Sequence, residues 1–149
     1  MNDDTQRRTV RDGYDRLASA YADHRTSDER EAALLEDFAG RVDAGGRVLD
    51  AGSGRGTPVA TSLTDDHEVV CLDISRTQLE LAGETVPGAH RTQGDLTSLP
   101  FADEVFGGIC AFHSVIHVPT DEHGTVFREF ARVLAPGGHL LVSVGRDAW

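Results

Sequence analysis

Three glycines and an aspartate stand close together in the stretch VLDAGSGRGT, residues 48–57. Asp50 is followed at alternate positions by Gly52, Gly54 and Gly56. Glycines in this arrangement, directly after an apolar strand-like run, let a ligand approach the backbone more closely than side chains would allow. A helix beginning just after them would present free N–H groups and a partial positive charge, which suit a phosphate or a carboxylate. The stretch therefore predicts a ligand-binding turn.

The spacing of these glycines differs from two phosphate-binding motifs. The dinucleotide fingerprint G-x-G-x-x-G needs a glycine at position 57, where this chain has Thr57. The nucleotide-triphosphate loop ends in Gly-Lys-Ser/Thr, and all 14 basic residues of this chain are arginines. A nicotinamide dinucleotide therefore remains possible, whereas ATP held in that loop is excluded.

Two further aspartates end the next two predicted strands. Asp73 ends EVVCLD, and Asp95 ends AHRTQGD. At such positions Asp73 can accept hydrogen bonds from ribose hydroxyls, and Asp95 can accept one from an adenine amino group. Three carboxylates, counting Asp50, favour a positively charged cofactor over a pyrophosphate, because fixed anions attract cations.

Alternating strands and helices must position these residues. Apolar periodicity predicts strands at 46–52, 68–73, 89–95, 105–114 and 139–145, and helices at 6–24, 28–42, 57–64, 76–86 and 121–134. Asp28 is the predicted N-cap of the second helix, and Gly137-Gly138 the predicted turn into the last strand. The pattern predicts an α/β fold: a Rossmann-like, doubly wound, mostly parallel sheet of about five strands with helices on both faces.

Five segments in this order resemble the class I S-adenosylmethionine-dependent methyltransferases, in particular the small-molecule branch known as methyltransferase type 11. They are VLDAGSGRG, VVCLDIS, GDLTSLPFADEVFGGI, AFHSVIHV and FREFARVLAPGGHLLVSV, and the resemblance runs from about Tyr14 to Gly145. It implies S-adenosylmethionine as the cofactor and a small molecule as the methyl acceptor. It also implies one domain over residues 1–149, with a helical lid region at 1–42 and a Rossmann-like core at 46–145.

The resemblance assigns roles to individual residues. Asp50, Gly52 and Gly54 would hold the methionine end of the cofactor, and Asp73 the ribose. The remaining predicted cofactor residues are Ile74 against the adenine, Asp95 and Leu96 at the adenine edge, and Phe112 and His113 beside the methionine amino group.

Two histidines and two tyrosines would complete the site. His113 and His117 lie beside the expected methyl position, where either could act as a general base or could shape the pocket. Tyr14 and Tyr21 resemble the lid that covers cofactor and substrate in this family, although two tyrosines seven residues apart also fit ordinary helix packing. No metal site is predicted.

The chain departs from the family pattern after the last predicted strand. Family members usually continue into a helix and a C-terminal strand hairpin, which this sequence lacks. Strand 139–145 would then be an apolar edge, and such edges are normally covered. We therefore expect a fragment, a loss of the tail with reduced catalysis, or a homodimer that covers the edge.

The composition of the chain limits which partners it can bind and indicates its cellular compartment. Asp and Glu total 25 against 14 arginines, a net charge of −11, which argues against nucleic-acid binding and suggests adaptation to high salt. Apolar runs are too short to span a membrane, and the N-terminus resembles no secretory signal. Cys71 and Cys110 are predicted to be buried free thiols, which indicates a cytoplasmic protein.

The sequence thus predicts a methyltransferase that acts on a small molecule. Two alternatives stay open. The first is a non-catalytic module that binds S-adenosylmethionine or S-adenosylhomocysteine, and the second, which is disfavoured by Thr57, is a nicotinamide oxidoreductase.

Overall fold

The computed structural model describes residues 24–56 and 58–143. Within these residues the helices and strands are α1 (His24–Arg41), β1 (Arg47–Ala51), α2 (Val59–Leu63), β2 (Glu68–Asp73), α3 (Arg76–Thr85), β3 (His90–Gln93), β4 (Phe106–Ala111), α4 (His123–Val133) and β5 (Leu134–Val142). Two short 3₁₀ turns, Val115–His117 and Thr120–Glu122, connect β4 to α4. The predicted helix 6–24 lies outside the described residues except for its last residue.

The five strands form one parallel sheet in the order β3-β2-β1-β4-β5. The chain moves outward from β1 through β2 to β3 and then crosses to the other side of β1 for β4 and β5. The order therefore reverses between β1 and β4, and in such sheets ligands bind beyond the carboxyl ends of the strands at this point. The predicted parallel, doubly wound sheet is confirmed.

Both faces of the sheet are covered by helices, as predicted. On one face, Val48, Val69 and Cys71 pack with residues of α1, α2 and α3. On the other face, Leu49 and Leu72 pack with residues of α4. Neighbouring residues of a strand point to opposite faces, so both faces must be apolar, which explains the nearly continuous apolar runs of the strands.

The start of α1 differs from the prediction. The helix begins at His24, so Asp28 lies inside it, and the predicted N-cap at Asp28 is wrong. Residues 24–28 contain neither glycine nor proline, and nothing in that stretch stops the helix from extending beyond a residue that favours caps.

The start of β5 also differs. The strand was expected at 139, but it begins at Leu134, directly after α4. Leu134 pairs with Phe106 and His139 with Gly108, so five steps along β5 match two along β4. The extra residues form a bulge, and Gly137 has a φ of 78° within it. The predicted turn is therefore an interruption within the strand.

Candidate functional site

A cleft of about 640 Å³ lies at the carboxyl ends of the strands. Its size falls within the range of about 300–1,000 Å³ that small-molecule sites occupy. It brings together eight of the residues predicted from the sequence: Gly52, Gly54, Asp73, Ile74, Asp95, Leu96, His113 and His117. Asp50 and Phe112 do not line it. Tyr14 and Tyr21 lie outside the described residues, so the predicted lid stays a prediction.

Each glycine of the turn after β1 has its own reason to be glycine. All three have positive φ: 76° at Gly52, 55° at Gly54 and 90° at Gly56. A β-carbon on Gly52 would overlap that of Ser114, and one on Gly56 would lie 2.8 Å from Cγ2 of Val86. A β-carbon on Gly54 would meet no atom within 4 Å. Gly56 thus permits close packing, while Gly54 faces open space in the cleft wall.

The N–H groups of this turn donate to protein acceptors on β2. Those of Gly52 and Ser53 both donate to the carbonyl oxygen of Leu72, each at 2.8 Å. That of Gly54 donates to Oδ2 of Asp73, also at 2.8 Å. Because these donors are already used, the turn does not form the phosphate cradle that its glycines and the following helix suggested.

Asp73 connects the turn to the start of α3. Its Oδ2 accepts from Gly54, and its Oδ1 accepts from the N–H of Ser75 at 2.8 Å. Ser75 in turn caps α3 by accepting from Gln78 at 3.2 Å. A carboxylate has about four acceptor positions, so Asp73 retains the capacity to bind two more donors from the cleft.

Asp50 lies inside the sheet on β1, two residues before Gly52, which lines the cleft. It is only 2% exposed, and its Oδ2 has no hydrogen-bond partner in the described part of the chain. Burial raises the pKa of Asp50 to about 7, repulsion from Asp73 adds to the rise, and the N–H of Ala60 opposes it. Close to the cleft there is therefore a buried carboxyl group whose ionised form is only partly compensated.

Two buried thiols flank Asp50. Cys71 on β2 and Cys110 on β4 both pair in register with Asp50 on β1 between them. Both are free, as predicted. Burial, with the nearby charge of Asp50, raises the pKa of Cys71 to about 12, and that of Cys110 is raised for the same reasons. Both thiols are therefore protonated at neutral pH.

One end of the cleft combines a carboxylate with apolar surface. Oδ1 of Asp95 accepts from the N–H and from the hydroxyl of Thr97, each at 2.8 Å. Leu96 is buried, whereas Ile74 is 68% exposed, an unusual degree for a large apolar side chain. A flat ring with a polar edge would find both apolar contact and a hydrogen-bond acceptor here.

The other end of the cleft carries the two histidines. His113 has a φ of 55°, and its N–H donates to Oγ of Ser143 at 2.6 Å. Its Nε2 lies 2.7 Å from Oε1 of Glu31 on α1. Desolvation, together with the neighbouring His113, lowers the pKa of His117, so its imidazole is neutral at pH 7 and able to accept a proton.

Sequence reasoning missed several residues at this site. Ser75, Gln78, Ser114 and Glu122 line the cleft, and Glu31 contacts His113 from 82 positions away. Ser114 immediately follows predicted residues, so its position offered a signal. Nothing in the spacing of the sequence could have identified Glu31. Phe112 instead packs against the cluster on the α1 side of the sheet.

No group of three or more His, Cys, Asp or Glu side chains between 24 and 143, position 57 aside, is arranged to hold a metal ion. None of the described helices has the length and apolar character needed to span a membrane.

Fold and cleft together define a Rossmann-like domain with a ligand site at the strand ends. A family model described as "Methyltransferase domain" matches residues 49–142. The methyltransferase GfsG of Streptomyces halstedii is 40% identical over 109 residues, covering 68% of this chain and 38% of that protein. The 27-O-demethylrifamycin SV methyltransferase of Amycolatopsis mediterranei is 35% identical over 126 residues, covering 78% and 46%.

A solved structure agrees with these matches. The [4+2]-cyclase SpnF superposes with a TM-score of 0.64 at 30% identity, covering 72% of this chain and 42% of that one. This chain belongs to the class I S-adenosylmethionine-dependent methyltransferase family. It spans less than half the length of each of these three proteins.

Proposed function

We propose that this protein binds S-adenosylmethionine and transfers its methyl group, by in-line displacement, to a small-molecule acceptor. The observation that carries the proposal is the cleft in which Asp73 and Asp95, at the ends of neighbouring strands, share one wall with the glycine turn. A turn whose N–H groups donate to β2 argues against a nicotinamide dinucleotide, which would place a pyrophosphate there. A cationic nucleoside fits the acidic lining better.

The described residues divide the proposed cofactor among them. Asp73 would accept the ribose hydroxyls, Ile74 would cover the adenine, and Asp95 with Leu96 would bind the adenine edge. At the other end, Gly52, Gly54 and His113 would surround the methionine part. Asp50, two residues before Gly52 on the chain, would add a carboxylate whose Oδ2 has no hydrogen-bond partner among the described residues.

When bound, S-adenosylmethionine supplies an activated methyl group on its sulfonium. The leaving group is already good, so the main task of the chain is to align the acceptor and to exclude water. His117 would take the proton of an acceptor that must lose one, because its lowered pKa keeps the ring neutral. Turnover that is unchanged in His117→Asn would remove this role.

The proposed acceptor class is a small organic molecule. Support comes from the names of the relatives, among them the 27-O-demethylrifamycin SV methyltransferase. His117, Val118, Pro119 and Glu122 line the histidine end of the cleft, where an acceptor would reach the methyl group. The acidic surface of the chain makes a nucleic-acid acceptor unfavourable.

Titration calorimetry with S-adenosylhomocysteine tests cofactor binding. Wild-type protein should bind, and Asp73→Asn should bind at least tenfold more weakly, because the negative charge is lost and one of the two oxygens that hold Gly54 and Ser75 is replaced by an NH2 donor. Asp65→Asn is the matched control, since it removes the same charge from an exposed loop position outside the cleft. A wild-type protein that shows neither heat nor thermal protection would refute the proposal.

Methyl transfer needs a separate measurement. Incubation with labelled S-adenosylmethionine and a panel of hydroxylated small molecules should give a labelled product. Binding without transfer would favour the non-catalytic alternative. One structural neighbour, SpnF, at 30% identity, is named for a different reaction and is described as a [4+2]-cyclase.

Three further expectations accompany this proposal. The two free, buried cysteines support a cytoplasmic location, since they form no disulfide. Among the strands between residues 24 and 143, β5 pairs only with β4 and is last in the sheet order, so a second copy of the chain could cover its other side. Size-exclusion chromatography that gives a clean monomer would contradict the homodimer. The division into a lid region at 1–42 and a core at 46–145 stays a prediction.

A further inference from the structure

Arg132, near the end of α4, donates to three acceptors on one loop. Its Nη2 donates to the carbonyl oxygen of Leu99 at 3.0 Å, and its Nη1 donates to that of Phe101 at 2.8 Å. Nη1 also donates to Oδ1 of Asp103 at 2.9 Å. The donors of a guanidinium point in fixed directions within one plane, so three such bonds form only where the acceptors are held in matching positions.

Glu129, one turn earlier on α4, closes the arrangement. Its Oε2 lies 2.7 Å from Nε of Arg132, and its Oε1 lies 3.0 Å from Nη2. The same Oε1 accepts from the N–H of Leu99 at 2.8 Å. The hydrogen bond with Arg132 lowers the pKa of Glu129, so the carboxylate stays ionised. Leu99 is thus held by both its N–H and its carbonyl oxygen.

The end of α4 fixes the remainder of the same loop through its backbone. The N–H of Glu104 donates to the carbonyl oxygen of Arg132, and that of Val105 donates to Val133, both at 2.9 Å. Residues 99–105 are therefore bound to α4 at five positions. Immediately before them, Asp95, Leu96 and Thr97 form one wall of the cleft.

We infer that Arg132 and Glu129 are positioning residues that set adenine selectivity by holding residues 99–105 against α4, directly after the cleft residues 95–97. Neither lines the cleft; they act on Asp95 and Leu96 through the loop. The inference rests on the proposed function, because adenine is the group that Asp95 would recognise. Lysine could not replace Arg132, since one ammonium group cannot reach acceptors spread from Leu99 to Asp103 in a fixed fork.

The test compares S-adenosylhomocysteine with S-inosylhomocysteine, in which an oxygen replaces the purine amino group. Wild-type protein should prefer the amino form at least tenfold, because the Asp95 carboxylate accepts from it and repels the oxygen. Arg132→Lys and Glu129→Gln should each reduce that preference at least fivefold. Arg128→Lys is the matched control: Arg128 lies on the same helix, and its Nη2 donates to Oγ1 of Thr125 at 3.1 Å, away from the loop.

A second measurement reports the loop without any ligand. Amide hydrogen exchange of Leu99 in the native protein should be at least tenfold faster in Glu129→Ala than in wild type, and unchanged in Arg128→Lys. Because this measurement uses Glu129→Ala, it tests the inference even if Arg132→Lys does not fold.

The outcomes separate the two claims. Wild-type protein that binds neither compound refutes the proposed function and, with it, this inference. Wild-type protein that binds selectively, together with variants of equal selectivity and unchanged Leu99 exchange, overturns the inference alone. Weaker binding of both compounds by the same factor also overturns it, since that result indicates general destabilisation of the cleft.

Discussion

Asp50 is a carboxyl group placed where its charge is poorly compensated. The sheet encloses it, one oxygen lacks a partner among the described residues, and Asp73 adds repulsion. Burying an ion without a partner is unfavourable by several kcal/mol unless the group takes up a proton. Under the proposed function, a cationic ligand in the cleft would favour the ionised form, so Asp50 would reduce the stability of the empty protein and strengthen binding.

This trade predicts how Asp50→Asn behaves with pH. The pKa of Asp50 is about 7 in the folded chain against 3.8 as its ordinary value. The folded state therefore holds the proton more tightly, and wild-type stability falls as pH rises from about 4 to 7. Relative to wild type, Asp50→Asn should gain up to about 4 kcal/mol over this range, because one pKa unit corresponds to about 1.4 kcal/mol.

Urea unfolding of both proteins between pH 4 and pH 8 measures this difference in stability. At pH 8, Asp50→Asn should bind S-adenosylhomocysteine more weakly than wild type, because the carboxylate that attracts the ligand's ammonium group is absent. A difference in stability that does not change with pH would show that Asp50 titrates normally.

Gly54 and Gly45 form a natural pair for testing the glycine turn. Both have positive φ, 55° and 78°, and a β-carbon on either would meet nothing within 4 Å. Gly54 lines the cleft, whereas Gly45 lies in the turn between α1 and β1. Alanine at either position should therefore reduce stability by about 1–2 kcal/mol, the cost of left-handed backbone.

Only Gly54→Ala should also weaken binding of S-adenosylhomocysteine, by at least tenfold, because its methyl group enters the cleft. Calorimetry and thermal unfolding of the two variants separate these effects. Equal affinities in both would mean that the ligand does not approach the turn.

The residues at the strand ends could be predicted because a residue at the end of a predicted parallel strand must lie at one known edge of the folded sheet. Asp73 and Asp95 end apolar runs, and the ends of parallel strands meet at one edge of the sheet. Burial and long-range partners could not be predicted in the same way. Among the described residues, the lack of a partner for Oδ2 of Asp50 and the contact between Glu31 and His113 both depend on packing between elements far apart in sequence.

Two adjacent glycines on β4 have different relations to α1. A β-carbon on Gly108 would lie 2.7 Å from both Cζ of Phe38 and Cγ2 of Val42, whereas one on Gly107 would lie 3.5 Å from Cγ1 of Val42. Gly108→Ala should therefore displace α1 and reduce stability by about 1–3 kcal/mol, the range for overpacked cores. Gly107→Ala should change stability by less than about 0.5 kcal/mol, because a β-carbon there makes only ordinary van der Waals contacts and disturbs no packing.

Chemical denaturation of the two variants under one buffer condition gives both values. The packing explanation for Gly108 would be wrong if the two alanines had the same effect.

Elements were predictable where local signals and tertiary structure agree. The second strand was expected at 68–73 and lies there, since it is apolar and is followed by a capping serine. The last strand was misplaced because its start depends on pairing. Leu134 joins the sheet through Phe106 on β4, and the bulge that follows absorbs Pro136 and the two glycines. No local signal reveals a register set by another strand.

Charge is a property of the whole chain, and it is strongly unbalanced. Acidic residues exceed arginines by 11 over 149 residues. Described ion pairs such as Arg47 with Glu68 and Arg76 with Glu80 are exposed, and exposed pairs contribute little. Most of the excess negative charge therefore acts as mutual repulsion, which opposes the compact state.

Repulsion of this kind predicts that the protein becomes more stable in potassium chloride. The Debye length shrinks to about 3 Å at 1 M salt, so distant like charges stop interacting, while the few exposed ion pairs lose little. The melting temperature should rise steadily from dilute buffer to multimolar KCl.

A variant carrying Asp65→Asn and Glu84→Gln, both at exposed positions, should melt higher than wild type in dilute buffer and gain less from salt. That comparison distinguishes charge screening from the general strengthening of apolar burial by salt, because the latter would raise the melting temperatures of both proteins equally. Equal gains, or a melting temperature that does not respond to KCl, would remove high-salt adaptation as the reason for this composition.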